Sequence, residues 1–372
     1  MSPTTSKLFQ PVKLGATDLQ HRVVLAPMSR GKADDFHVPY IPLVTDFYSQ
    51  RASKPGTLLI TEATFIAARA GGLAHCPGIW SKDQIEAWKT VTTAVHAKGS
   101  FIFLQLWALG RAADAAQLIS EDPTFPCVSA SDIPLRERTY PPRPLTVPEI
   151  KEYVGLYIQA AKNAIEAGFD GVEVHSANGY LLDQFLQDVS NKRTDEYGGS
   201  IENRARFTLE VVDAVAAAVG PERTGVRFSP WSPFLEMGMT DPIPTFSYVV
   251  SQLTIRQPNL AYLHFVEPRV TGPDTRQDDV GDHESNDALC ALWAPRPLIR
   301  TGGFTRQSAI VAAESGGLIG FGRYYTSNPD LPTRLERNLP LSGYDRSTFY
   351  LMGENGARGY TDHAFAEVAS VV

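Results

Sequence analysis

Gly168-Phe-Asp-Gly-Val-Glu-Val-His-Ser-Ala-Asn-Gly-Tyr-Leu-Leu-Asp-Gln-Phe185 is the stretch whose reading decides the fold. It opens as a strand. Val172 and Val174 alternate with Glu173 and His175, so the two polar residues share one face. The strand breaks at Asn178-Gly179, a turn-forming pair. Tyr180 follows at once, and a segment read as polar runs on from Leu181. His175, Asn178 and Tyr180 therefore fall where a strand ends and a loop begins, which is where a parallel α/β protein places its chemistry. Two neutral N–H donors can hold a carbonyl oxygen there, and a phenol can deliver a proton beside it. Each residue alone reads equally as structure: a satisfied strand-end His, a turn, a packing Tyr. The functional reading rests on the three meeting at one strand end.

Working outward, short apolar runs alternate with longer amphipathic ones. Strands are expected at 23–29, 57–64, 100–107, 225–230, 261–268, 297–304 and 317–325, besides the central one. Helices are expected at 42–51, 82–97, 149–167, 200–219 with Ser200 as N-cap, 245–256 and 306–314, with a last one after Asn328-Pro329. A Pro-rich excursion at 108–148 separates the third strand from the third helix; it is too long for a bare connection. A polar, Asp-rich loop spans 269–285, and the tail 342–372 reads as polar and irregular. Eight strands alternating with helices indicate a parallel sheet. It can close as a doubly wound open sheet or as a (β/α)8 TIM barrel; the count and the 372-residue length favour the barrel, as one domain over 1–372.

The formal net charge of −7 argues against a general nucleic-acid binder. Cys76, Cys127 and Cys290 are odd in number and far apart, with no metal-type spacing, which suits a reducing compartment. No signal core and no membrane-length apolar run is present, so a cytoplasmic protein without membrane partners is expected.

Alternation places Gln105 with Trp107, and Arg227 with Ser229, on shared strand faces. An inward Arg227 needs a counter-charge or an electron-rich ligand; a structural ion pair with Glu173 meets that need as well as a ligand does. Gly302-Gly303 and Gly322-Arg323 close the last two strands, where barrel loops often bind phosphate. The glycines serve tight turns equally well. No Gly-x-Gly-x-x-Gly dinucleotide fingerprint is present. A phosphate site, a polar barrel mouth and a neutral donor pair together suggest bound flavin mononucleotide (FMN).

On these and further runs the chain resembles the old yellow enzyme family of FMN-dependent ene-reductases, over nearly its whole length. The runs include Leu25-Ala-Pro-Met-Ser-Arg30, Leu104-Gln-Leu-Trp107, Val174-His-Ser-Ala-Asn-Gly-Tyr180, Tyr197-Gly-Gly-Ser-Ile-Glu-Asn-Arg204, Gly225-Val-Arg-Phe-Ser-Pro230 and Gly320-Phe-Gly-Arg323. Gln50-Arg-Ala-Ser53 and Trp107-Ala-Leu-Gly-Arg111 are closest to the fungal branch. The resemblance implies that Pro27, Met28, Ser29 and Ala63 meet the flavin and that Gln105 bonds its pyrimidine edge. Arg227 would stabilise negative charge on the reduced ring, and Gly302, Gly303, Gly322 and Arg323 would hold the phosphate. Trp107 and Tyr350 would line a substrate pocket with His175 and Asn178. Ser29 stands where many members have Thr, and Gly303 where some have Asn.

The implied activity is reduction of the C=C bond of enones and enals with NADPH or NADH by a ping-pong cycle. His175 and Asn178 would hold the carbonyl oxygen, and Tyr180 would protonate the α-carbon. A small activated alkene is the implied partner, and the chain would act as monomer or homodimer. Other readings stay open at this point. They are a flavin-dependent isomerase or reductase dedicated to one secondary metabolite, a non-catalytic flavin- or ligand-binding barrel, and a flavin-free barrel lyase.

Overall fold

The computed structural model describes residues 6–138, 140–276, 280–281, 283–353 and 355–367. Eight parallel strands close into a barrel. They are β1 (Val23–Leu25), β2 (Leu58–Phe65), β3 (Phe101–Trp107), β4 (Gly171–His175), β5 (Thr224–Phe228), β6 (Tyr262–Val266), β7 (Leu298–Thr301) and β8 (Leu318–Phe321). Each pairs with its sequence neighbours, and β8 pairs with β1 to complete the ring. Helices α1 (Leu43–Arg51), α2 (Lys82–His96), α3 (Val147–Glu166), α4 (Ile201–Val219), α5 (Ile243–Arg256), α6 (Asp287–Trp293), α7 (Arg306–Ala313) and α8 (Leu331–Arg337) follow the strands in turn. The barrel expectation is met.

Local chemistry starts the helices where the sequence indicates. Ser81 and Gln84 form a capping box at α2, as Thr146 and Glu149 do at α3. Ser200 accepts from Asn203 N–H and caps α4 as expected. An N-terminal hairpin (Val12–Leu14 with Thr17–Leu19) packs Leu14 and Leu19 into a cluster with Val24, Leu58, Ile60, Phe103, Tyr262, Ile299 and Leu318. This apolar plug leaves the polar positions to the other end, where the strands finish.

Several boundaries differ from expectation. The first strand stops at Leu25, so Pro27, Met28 and Ser29 follow it as loop. The eighth stops at Phe321, and Arg323–Ser327 is a short helix. The segment after Tyr180 is not a polar loop. Leu181–Leu186 is a helix with all six residues buried, because Asp183 and Gln184 spend their polarity on nearby backbone. The excursion carries a short helix (Ala115–Glu121) and a two-strand pair (Val128–Ser129 with Arg143–Pro144). The Asp-rich loop contains a small hairpin (Val270–Thr271 with Asp274–Thr275); its residues 277–279 and 282 lie outside the described residues. The tail is less irregular than its composition suggests, since Phe349 and Tyr360 are buried; its residues 354 and 368–372 lie outside the described residues. Helix α6 has no counterpart in the sequence reading.

Candidate active site

Two adjoining cavities open at the C-terminal ends of the strands, of about 370 and 310 Å³. Pro27, Met28, Asn178, Arg227 and Arg323 belong to the walls of both. The first also takes Ser29, Ala63, Gln105, Trp107, His175, Tyr180 and Tyr350. The second takes Gly302, Gly303 and Gly322. Every site residue singled out from the sequence is therefore brought to one trough. The strand ends do this: β2 carries a register shift between Ile60 and Ala63, after which Ala63 pairs with Gln105. His175 on β4 sits opposite Arg227 on β5.

The turn after β4 is held from several sides. Asn178 takes a left-handed φ of 55° and Gly179 one of 73°, a pair that Asn-Gly adopts readily. Asn178 N–H donates to Ser229 Oγ at 2.6 Å, and Gly179 N–H to Asp183 Oδ2 at 2.8 Å. Gln184 Nε2 donates to the carbonyl oxygens of Gly179 and Leu109. Gln184 Oε1 accepts from Arg111 N–H and Ser129 Oγ. The excursion is thus tied to the turn that positions Asn178 and Tyr180. Tyr180 lies edge-on to Trp107 and to His175, with ring centroids 4.8 and 5.2 Å away.

His175 is held neutral. Burial, with the Arg227 charge beside it, pushes its pKa well below the usual range. Burial pushes the Tyr180 phenol up, so it stays protonated. His175 Nδ1, Asn178 Oδ1, Arg227 Nε and Trp107 Nε1 are buried without a hydrogen-bond partner among the described residues. Buried polar atoms are rarely left so, and their convergence on one cavity marks a place for a polar ligand. In the second cavity Arg269 Nη2 is likewise unpartnered. Neither Arg269 nor Arg323 has a carboxylate within ion-pair distance among the described residues. Gly322 is tight: a Cβ there would come 2.9 Å from Met28 Sδ. Donors of both kinds suit FMN, whose ring edge needs amide and guanidinium partners and whose phosphate needs cations and exposed N–H groups.

Glu173 is not the partner of Arg227 in an ion pair. Its carboxylate accepts from Gln105 Nε2 at 2.7 Å and from His264 Nδ1 at 2.8 Å. Burial alone would push this carboxyl up, but the hydrogen bonds it accepts from His264 and Gln105, with the Arg227 charge nearby, outweigh it and keep Glu173 ionised. Burial holds His264 down, hence neutral. The sequence reading missed His264, Thr301 and Arg269. The alternation applied to strands three to five places His264 inward on β6 as well. Arg269 opens a loop whose composition is otherwise acidic, which hid it.

A parallel eight-stranded barrel with this mouth defines a flavin-type oxidoreductase. The chain belongs to the NADH:flavin oxidoreductase / NADH oxidase family, the old yellow enzymes, whose model matches residues 7–342; members of this family bind FMN. It is 49% identical to a chanoclavine-I aldehyde reductase of Penicillium roqueforti, over 97% of each chain. It is 46% identical to a probable inactive reductase of Epichloe festucae var. lolii, over 98% of this chain and 96% of that protein. Among solved structures, morphinone reductase superposes with a TM-score of 0.88 at 38% identity, covering 98% of both chains. Morphinone reductase has also been solved in complex with tetrahydroNAD. Among the described residues no helix is long and apolar enough to cross a membrane.

Proposed function

We propose that this oxidoreductase is an ene-reductase that reduces the C=C bond of α,β-unsaturated aldehydes and ketones at the expense of NADPH or NADH. One observation carries the reading: two neutral side chains able to donate an N–H, the His175 ring and the Asn178 amide, stand beside a protonated phenol in one cavity. Bound FMN would supply hydride-accepting and hydride-donating chemistry. Gln105, Arg227, Ser29, Met28, Pro27 and Ala63 would hold its ring. Gly302, Gly303, Gly322, Arg323 and Arg269 would hold its phosphate. His175 and Asn178 donate to the substrate carbonyl oxygen and draw electron density from the alkene, so that the β-carbon becomes electrophilic. Tyr180 then gives its phenolic proton to the α-carbon. Trp107, which packs against both His175 and Tyr180, fixes their rings, and Tyr350 walls the substrate from the tail side.

A second reading has its own support. Some relatives are named aldehyde reductases and others probable inactive, a spread that supports a scaffold fitted to individual substrates with different outcomes. A reductase or isomerase dedicated to one enal fits that pattern; the presence of Tyr180 favours net reduction. Incubating the purified protein with NADPH and a panel of enones and enals, with product masses recorded, tests both. A product two mass units heavier than its substrate supports reduction; an isobaric product replaces it with isomerisation. No NADPH oxidation and no conversion with any alkene would overturn the ene-reductase reading.

A further inference from the structure

Beneath the cavity floor runs a chain of polar side chains that the proposed reaction does not use. Gln105 on β3 donates to Glu173 on β4, which accepts from His264 on β6, which meets Thr301 on β7 through Nε2 at 2.5 Å. Glu173 and His264 are fully buried, and Gln105 is 1% exposed. Gln105 reaches the first cavity and Thr301 the second; Glu173 and His264 touch neither. A buried carboxylate linked to an imidazole is costly to keep and adds little stability over an apolar core. Its bonding, however, fixes two features of the cavity.

The first is an amide orientation. An ionised carboxylate only accepts, so Gln105 must turn its NH₂ toward Glu173. Its Oε1 is then left for whatever fills the cavity. The carboxylate also settles the neighbouring tautomer. Neutral His264 donates from Nδ1 to Glu173 and accepts at Nε2 from the Thr301 hydroxyl. The second feature is charge. Arg227 has no carboxylate within ion-pair distance among the described residues, so the Glu173 charge one strand away is what offsets it.

We propose that Glu173, His264 and Thr301 are positioning residues. They turn the carbonyl oxygen of Gln105 toward the flavin pyrimidine edge and restrain the Arg227 charge, and thereby set how much more tightly the site binds reduced than oxidised FMN. This rests on the reading that FMN lies in the cavity with Gln105 and Arg227 at its pyrimidine edge. Reduced flavin carries more negative charge on that edge than oxidised flavin does. Removing the Glu173 charge leaves Arg227 less restrained. It also allows Gln105 to invert and offer N–H groups to the ring. Both changes favour the reduced form.

The test compares FMN affinity in the two oxidation states for the wild-type holoenzyme, Glu173→Gln and Thr301→Val, with the flavin midpoint potential measured alongside. Glu173→Gln should raise the ratio of oxidised to reduced dissociation constants at least about tenfold and make the potential more positive. Thr301→Val deprives His264 Nε2 of its donor. Nothing then holds Nε2 as the acceptor, so the ring is free to turn Nδ1–H away from Glu173, and the carboxylate loses the bond that sets it against Gln105. The same ratio should rise about threefold or more. A purely structural role would weaken both oxidation states alike, and an unchanged ratio in the variants overturns the inference. Should Glu173→Gln fail to fold, Thr301→Val decides alone. A wild-type protein that binds no FMN would instead overturn the reading of the cavity on which this rests.

Discussion

Tyr180 can act as an acid only if it holds its proton at working pH, and burial ensures that by raising its pKa. A nicotinamide reducing the flavin transfers hydride and needs no such acid, whereas an alkene gaining hydride does. Tyr180→Phe should therefore leave NADPH-dependent flavin reduction within a few-fold of normal and slow enone reduction by roughly 10²–10⁴. Stopped-flow measurement of each half-reaction checks this; equal slowing of both would make Tyr180 a packing residue. The donor pair makes a separate claim. His175→Ala with Asn178→Ala should weaken binding of phenols and enones by roughly 1.5–3 kcal/mol for each lost hydrogen bond to a partly charged oxygen, with FMN retained. Titration followed by long-wavelength flavin absorbance reads the loss. Asp183 adds a pH dependence. Its carboxyl, buried under the Asn178-Gly179 turn, is raised from 3.8 to about 7 despite accepting from Gly179 and Gln187. A carboxyl raised by folding contributes stability that is full below its unfolded pKa and lost as pH rises through its folded one. Relative to Asp183→Asn, the wild type should thus lose on the order of 3 kcal/mol between about pH 4 and pH 8. Urea melts of both proteins across that range would show a flat difference if Asp183 does not titrate there.

At the scale of elements, the barrel was legible because alternation and amphipathic period are local properties, and seven of its helices announce themselves through caps and spacing. What stayed illegible depended on distant partners. Leu181–Leu186 looks polar because Asp183 and Gln184 sit in it, yet both are buried against backbone that only folding brings near. The tail misled in the same way. Arg30, just beyond Ser29, donates to the carbonyl oxygens of Phe349, Thr348 and Gly359 at 3.0, 3.3 and 2.7 Å. Lys32 Nζ donates to Leu351 O at 2.8 Å, and Arg51 to Tyr360 O at 3.2 Å. Cations from the start of the chain thus strap down its end, with Tyr350 and Met352 against the cavity. Arg30→Met leaves those carbonyls without donors and should cost about 3 kcal/mol. Amide exchange should accelerate across residues 346–353 while β4 and α4 stay protected. Unchanged exchange there would mean that the strap holds without its guanidinium.

The whole molecule divides into an apolar floor and a polar mouth, and this division predicts what removing FMN does. The plug around Phe103 and Tyr262 and helices α1–α8 do not line the two cavities, so they should hold the barrel together without a ligand. The mouth is different. His175, Asn178, Arg227, Trp107 and Arg269 all keep buried polar atoms without a partner among the described residues, and such atoms weigh against the folded state until something bonds them. The flavin-depleted protein should keep its far-ultraviolet circular dichroism but melt earlier. Restoring FMN at a hundred times its Kd should return about 2.7 kcal/mol, roughly 3–5 °C for a chain of this length. Riboflavin has the same ring and lacks the phosphate, so it isolates the second cavity. If Gly302, Gly303, Gly322, Arg323 and Arg269 hold a phosphate, riboflavin should stabilise far less than FMN at equal concentration. Arg323→Ala should then lower the response to FMN and leave the response to riboflavin unchanged. Equal stabilisation by riboflavin and FMN in the wild type would remove the phosphate role from these residues.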